Sequence, residues 1–228
     1  MTKKVLIVLT SHDKLGDTDH KTGFWVEEFA APYYVFKDAG YDITLASPQG
    51  GQPPVDPTSQ LSDFATEATQ RYDQDEQVKK ELANTVVLSS VNEADYDAVF
   101  YPGGHGPLWD LAHNENSIQL IESFLAANKP VGAVCHASAV LLDVKDSQGE
   151  FVIKGKAVAG FTNGEEAAVE LTDIVPFLVE DELIKRGADY QKADDFHAFA
   201  VQDGLVISGQ NPASSELVAE KLIAHLGA

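Results

Sequence analysis

The chain has 228 residues, with 16 Lys and Arg against 36 Asp and Glu, and so a formal net charge of −20. That balance argues against a nucleic-acid binder, which needs a basic patch, and against docking on anionic lipid, which recruits Lys and Arg clusters. A single Cys excludes an internal disulfide and favours a reducing compartment, and a chain of this length with 44% hydrophobic residues can bury a large core.

Residues 5–9 form an apolar run that stops at Thr10-Ser11-His12-Asp13. The run is too short for a membrane span, has no small-residue cleavage site after it, and reads as a buried strand. No other segment approaches transmembrane length, so a cytoplasmic protein is expected. A loop over 11–22 is followed by a helix over 23–39, which Gly40 stops. Residues 41–46 read as a second strand. Residues 47–57, with four Pro and two Gly, must be an irregular loop. Residues 60–85 are polar and predicted helical. A third strand at 97–101 ends in Pro102-Gly103-Gly104-His105-Gly106. Helical periodicity covers 116–128, a strand covers 129–134, and Cys135 follows at once. A short strand is predicted at 156–160 and a helix at 177–187. Two strands at 198–202 and 205–208, separated by Asp203-Gly204, read as a hairpin. The last helix starts near Pro212 and runs to about His225.

Strands alternating with helices, plus a late hairpin, predict an α/β sandwich with a mostly parallel central sheet. With no flexible linker or repeat, residues 1–228 read as one domain, with small insertions near 60–90 and 165–195.

In open α/β folds ligands bind beyond the carboxyl ends of the strands. The loops at 10–22, 47–57, 102–107, 135–138 and 160–166 are therefore where chemistry is expected. Cys135 sits between an apolar strand and a helix-like segment, a turn resembling a nucleophile elbow. A helix starting there would offer free N–H groups and a positive dipole end to a thiolate. The alternative is a buried, inert Cys. His136 beside it can exchange a proton with the thiol, but only if the turn is irregular, because adjacent residues of a regular helix do not face each other. The glycines of 103–106 let a backbone approach a ligand and point N–H groups at it, as in an oxyanion hole, although for a Gly-Gly alone a tight turn is the better explanation. No Walker pattern is present, which argues against nucleotide phosphate binding. The pairs Glu27-Glu28 and Glu165-Glu166 fit helix starts, where acidic groups complement the dipole. The seven His show no HExxH or CxxC context, so no metal site is expected.

Tyr101-Pro102-Gly103-Gly104-His105-Gly106, Ala133-Val134-Cys135-His136-Ala137 and the Glu28…Pro32 step together resemble the PfpI-like superfamily. Its fold is the flavodoxin-like, class I glutamine-amidotransferase-like three-layer sandwich. Lys21-Thr22-Gly23, Ala46-Ser47-Pro48, Gly160-Phe161-Thr162 and Gly209-Gln210-Asn211-Pro212-Ala213-Ser214 extend the likeness to the branch of thirty-one-kilodalton heat-shock chaperones, also known as glutathione-independent glyoxalases. The resemblance implies Cys135 as nucleophile, His136 as adjacent catalytic base and Glu28 as the carboxyl facing the thiol. It implies Glu166 as third triad member, with Glu165 as the one-residue alternative. It also implies an oxyanion and substrate-binding set of Gly103, Gly104, His105 and Phe161, with the backbone of His136. Ala137 and Ser138 depart from the Gly-Pro that often follows Cys-His in this branch, and no metal-binding His/Glu/His set is matched. The implied activity is a cofactor-free conversion of 2-oxoaldehydes such as methylglyoxal to D-lactate. The implied partners are a small carbonyl substrate and a second copy in a homodimer. A holdase chaperone, a redox sensor acting through Cys135 oxidation and a cysteine peptidase or amidase are the alternatives. A small neutral carbonyl compound also suits so acidic a chain better than an anionic metabolite.

Overall fold

A computed structural model describes residues 2–227. β1 (Lys4–Val8) runs through the middle of the main sheet. Its side chains alternate between faces, as the two-residue period of a strand requires. Val5 and Ile7 join one hydrophobic core, and Leu6 and Val8 join the other. The chain continues through α1 (Val26–Asp38), β2 (Asp42–Ser47), α2 (Glu67–Gln74), α3 (Glu76–Leu82), β3 (Val86–Val87), β4 (Ala98–Tyr101), α4 (Pro107–Asp110) and α5 (Glu115–Ala126). It then forms β5 (Val131–Val134), a 3-10 helix at Cys135–Leu141, β6 (Ala157–Val158), α6 (Asn163–Ala168), α7 (Val179–Lys185), β7 (Asp189–Tyr190), β8 (Ala200–Asp203), β9 (Val206–Gly209) and α8 (Ser215–Leu226).

The main sheet has the order β3-β2-β1-β4-β5-β9-β8, and every pairing is parallel except β8 with β9. The inner order β2-β1-β4-β5-β9 is that of a flavodoxin-like doubly wound sheet, with its switch point between β1 and β4. One face is covered by α1 and α8, through Phe29, Phe36, Val218 and Leu222. The other is covered by α5, the 3-10 helix and α7, through Ile121, Phe124, Leu141 and Leu183. This is the three-layer α/β fold expected from the sequence.

Several elements differ from expectation for identifiable reasons. The polar stretch 60–85 is not one helix. Thr66 accepts a hydrogen bond from the N–H of Thr69 at 3.1 Å and donates its own N–H to the Thr69 hydroxyl, starting α2 with a capping box. Asp75 then caps α3 by accepting from the N–H groups of Gln77 and Val78. A strong N-cap inside a polar run begins a new helix there. The strand expected at 156–160 shrinks to β6 and leaves the main sheet, pairing with β7 in a separate two-stranded sheet. The hairpin turn lies one residue later than expected. Asp203 pairs with Val206, and Gly204, with φ +62°, takes the first turn position that favours glycine. The first long helix begins at Val26 rather than Gly23. The N–H of Phe24 is taken by the carbonyl of Pro54, and the N–H of Val26 by Ser59 Oγ. The proline-rich loop therefore sets where α1 starts.

Phe124 is fully buried on α5, whereas Asn114 caps that helix from the surface by accepting from the N–H groups of Asn116 and Ser117. Urea unfolding should show Phe124→Ala losing roughly 3–5 kcal/mol and Asn114→Ala about 1 kcal/mol. Equal losses would contradict the packing described.

Candidate active site

The carboxyl ends of β4 and β5 meet the start of α1 and the start of α6. Cys135 leaves β5 with φ +59°, a left-handed conformation that is uncommon for a residue with a side chain. Such strain amounts to about 1–3 kcal/mol and persists only where the surroundings enforce it. The enforcement is visible. The Cys135 carbonyl accepts the N–H of Phe161, and the peptide beyond β4 is pressed against the turn. A Cβ on Gly103 would come within 2.5 Å of Glu28 Oε2 and 2.7 Å of the Val134 carbonyl oxygen. Gly104, with φ +94°, would put one 2.3 Å from the Gly23 carbonyl oxygen. The glycines thus allow two backbones and a carboxyl to converge on the sulfur.

The irregular turn brings Cys135 Sγ to 3.3 Å from His136 Nδ1. His136 Nε2 lies 2.6 Å from Glu166 Oε2, and His105 Nε2 lies 2.7 Å from Glu166 Oε1. Burial opposes the Glu166 charge, yet His136 and His105 hold its carboxyl well below the usual range. An ionised carboxylate only accepts, so both Nε2 atoms must carry protons. Burial, and then His105, push the His136 imidazole down, so it is neutral at neutral pH and its unprotonated Nδ1 faces the thiol. The ring is held between His105 and Phe161, at centroid distances of 3.9 and 4.2 Å.

Glu28 projects from the first turn of α1. Its Oε2 accepts the Gly103 N–H at 2.8 Å, and its Oε1 has no hydrogen-bond partner. Burial pushes this carboxyl up to about 8, so it is protonated at neutral pH. Burial first, and then Glu28, push the Cys135 thiol well above its ordinary value of 9.0. The segment after Cys135 is a 3-10 helix rather than a regular α-helix. The two groups are close enough to control each other's ionisation, and the pocket favours at most one charge on the pair.

The site opens into a cavity of about 670 Å³ whose wall includes Glu28, Gly104, His105, Cys135, His136 and Phe161. Gly103 is not in that wall, and its N–H is committed to Glu28. Gly104 makes no backbone hydrogen bond among the described residues, leaving its N–H for a ligand. Ala137 and Ser138 are buried beneath the site and do not line the cavity.

Glu165 and Glu166, adjacent in sequence, part ways in space. Glu165 Oε2 accepts the Thr162 N–H, and Oε1 accepts from the Phe196 N–H, Gln210 Nε2 and Asn211 Nδ2. It is scaffold, whereas Glu166 touches both imidazoles. Glu27 likewise turns away and bonds Thr66. One nitrogen or oxygen from each of His105, His136 and Glu166 lies within 4.8 Å of the others, a spacing a metal ion could use. An ion there would have to replace both imidazole–carboxylate hydrogen bonds.

Sequence reasoning missed the direct His105–Glu166 contact and the aromatic wall of Trp25, Phe64 and Phe196. His105 carried a signal, a polar residue inside a glycine-rich turn. The aromatic residues carried none, since they come from segments far apart in the chain.

Known proteins resemble this chain over nearly its whole length. The family model described as the DJ-1/PfpI family matches residues 21–225. The "Glutathione-independent glyoxalase HSP31" of Saccharomyces cerevisiae is 30% identical over 230 residues, covering 97% of each chain. The crystal structure of glyoxalase III from Candida albicans has a TM-score of 0.90 at 33% identity, over 97% of this chain and 96% of that one. The structure of the Rapid Encystment Protein 24 KDa of Francisella tularensis has a TM-score of 0.94 at 37% identity, over all of both chains.

Folded Glu28 keeps a proton that the unfolded chain gives up near its ordinary value of 4.5, so its contribution to stability falls as pH rises from there through about 8. Glu28→Gln stays neutral and can still accept the Gly103 N–H. Thermal scans should give variant and wild type similar Tm values at about pH 5, with the variant higher by at least about 3 °C at about pH 9. A gap that does not change with pH would contradict this assignment.

Proposed function

The chain belongs to the DJ-1/PfpI family, and on that premise we propose that it is a glutathione-independent glyoxalase, converting 2-oxoaldehydes such as methylglyoxal to 2-hydroxy acids such as D-lactate. The observation that carries this reading is the buried Cys135–His136–Glu166 relay, whose Cys135 and His136 share one cavity wall with a protonated Glu28.

Neutral His136 takes the thiol proton on Nδ1, and the Nε2–H···Glu166 hydrogen bond stabilises the resulting imidazolium. The sulfur attacks the aldehyde carbon, a C–S bond forms, and the carbonyl π electrons move to oxygen. The N–H groups of Gly104 and His136 are the donors for that oxyanion, a contribution of roughly 2.7–4 kcal/mol per donor in known cases. Protonation of the oxygen gives a hemithioacetal. Removal of the hydrogen on that carbon sends its electrons into the adjacent ketone, forming an enediol, and a proton returned to the second carbon gives a 2-hydroxy thioester. His136 and Glu28 are the groups within reach for these transfers. Water then adds to the thioester, the C–S bond breaks, and sulfur recovers its proton. One carbon is oxidised and its neighbour reduced, so the net change consumes one water and needs no external oxidant or cofactor.

One α/β domain, a homodimer and a cytoplasmic location complete the reading. They are supported by the family resemblance and by a lone free Cys suited to a reducing compartment. No helix among the described residues is long and apolar enough to cross a membrane.

A glutathione-free assay with methylglyoxal, quantifying D-lactate, tests the proposal. Cys135→Ala should lose all measurable turnover, and Glu166→Gln should lower kcat by roughly 10²–10⁴-fold. Full turnover in Cys135→Ala would overturn the mechanism.

A further inference from the structure

The cavity is far larger than methylglyoxal. At about 670 Å³ it falls in the range of pockets that enclose drug-sized ligands. A three-carbon aldehyde bound at Cys135 would leave most of it empty. Glu28, His105 and His136 gather at the sulfur, while Trp25, Phe64 and Phe196 also stand in the wall. Trp25 and Phe64 meet edge to face with centroids 5.0 Å apart. Phe64 is 42% exposed and Phe196 is 52% exposed, so both rings leave apolar area uncovered that a ligand could bury. The cations and anions nearby are already paired, Lys21 with Asp13 and Asp56 with the Thr22 hydroxyl, so nothing there calls for a charged substituent.

Phe196 is held in place deliberately. Its φ of +60° is strained for a residue with a large side chain. Its N–H donates to buried Glu165 Oε1 at 2.7 Å. That oxygen also accepts from Asn211 Nδ2 at 2.8 Å and Gln210 Nε2 at 3.0 Å. The same two amides donate to the carbonyls of His197 and Asp194, on either side of Phe196. One carboxylate and two amides, all buried, thus fix a half-exposed ring at the cavity. Packing of that ring explains little, because half of it packs on nothing. Such strain persists where the surroundings over-determine it, and it clusters at ligand sites.

We propose that Trp25, Phe64 and Phe196 form an apolar subsite for the substituent of the 2-oxoaldehyde, so that the preferred substrates carry an aromatic or long alkyl group rather than methyl. Glu165 is then a positioning residue for this subsite. The proposal rests on the glyoxalase reading and specifies which members of that substrate class fit.

The test compares kcat/KM for phenylglyoxal and methylglyoxal in the wild type, Phe196→Ala, Phe64→Ala and Phe196→Leu. Both aromatic positions are exposed enough for truncation to leave the fold intact. The wild type should prefer phenylglyoxal. The phenylglyoxal to methylglyoxal ratio should fall about tenfold in each alanine variant, mainly through KM for the aromatic substrate. Phe196→Leu, which keeps apolar bulk, should restore most of the ratio. If both aldehydes are turned over and neither alanine variant changes the ratio, the subsite is wrong while the glyoxalase reading stands. If the wild type turns over neither aldehyde, the glyoxalase reading fails and the subsite with it.

Discussion

A buried pocket can hold very little uncompensated negative charge, and the site at the carboxyl edge of the sheet is organised around that constraint. Glu28, Cys135, Glu165 and Glu166 are all buried there, and no Lys or Arg is buried among the described residues. Each acid therefore finds another solution. Glu165 collects N–H donors from Thr162, Phe196, Gln210 and Asn211. Glu166 is ionised and gripped by two imidazoles. Glu28 keeps its proton, and so, at rest, does Cys135.

This arrangement converts a structural cost into chemistry. The neutral His136 tautomer is fixed by Glu166, and it leaves Nδ1 free to accept the thiol proton. When that proton moves, the pair becomes thiolate and imidazolium between an anionic Glu166 and a neutral Glu28. Charge is created with its stabilising partners already in place, which is the electrostatic preorganisation that lowers barriers in water-excluded sites. Glu28 can then give a proton to an oxygen or carbon of the bound substrate without first acquiring one from solvent.

Much of this was legible in the chain. Val5 to Val8 announce a central strand buried on both faces, and the switch from Val131–Val134 into Cys135-His136 announces a sharp turn at a strand end, because apolar runs and residue order are local properties. Glu28 is singled out only by the family resemblance, which keeps its four-residue step to Pro32; spacing alone leaves it an acidic group at a helix start. The choice between Glu165 and Glu166 stayed open, since both fit the start of a helix. Only the helix rotation of about 100° per residue sends one to the imidazoles and the other to Gln210 and Asn211. The break of 60–85 at Thr66 and Asp75 was hidden by uniform polarity. Gly103 looked like a ligand-binding glycine, but its N–H serves Glu28 through a contact across 75 residues of sequence. The strained backbone of Phe196 depends on side chains from α6 and from the turn after β9, and no local pattern encodes it.

The central claim is that Glu28 is a neutral carboxylic acid at neutral pH inside the folded protein. Infrared difference spectroscopy across a pH titration, on wild type and Glu28→Gln, measures this directly. A protonated-carboxyl band that persists at neutral pH, titrates at about 8 and is missing from the variant is the expected result. A wild-type spectrum in which no protonated carboxyl survives above the ordinary value of 4.5 would contradict it.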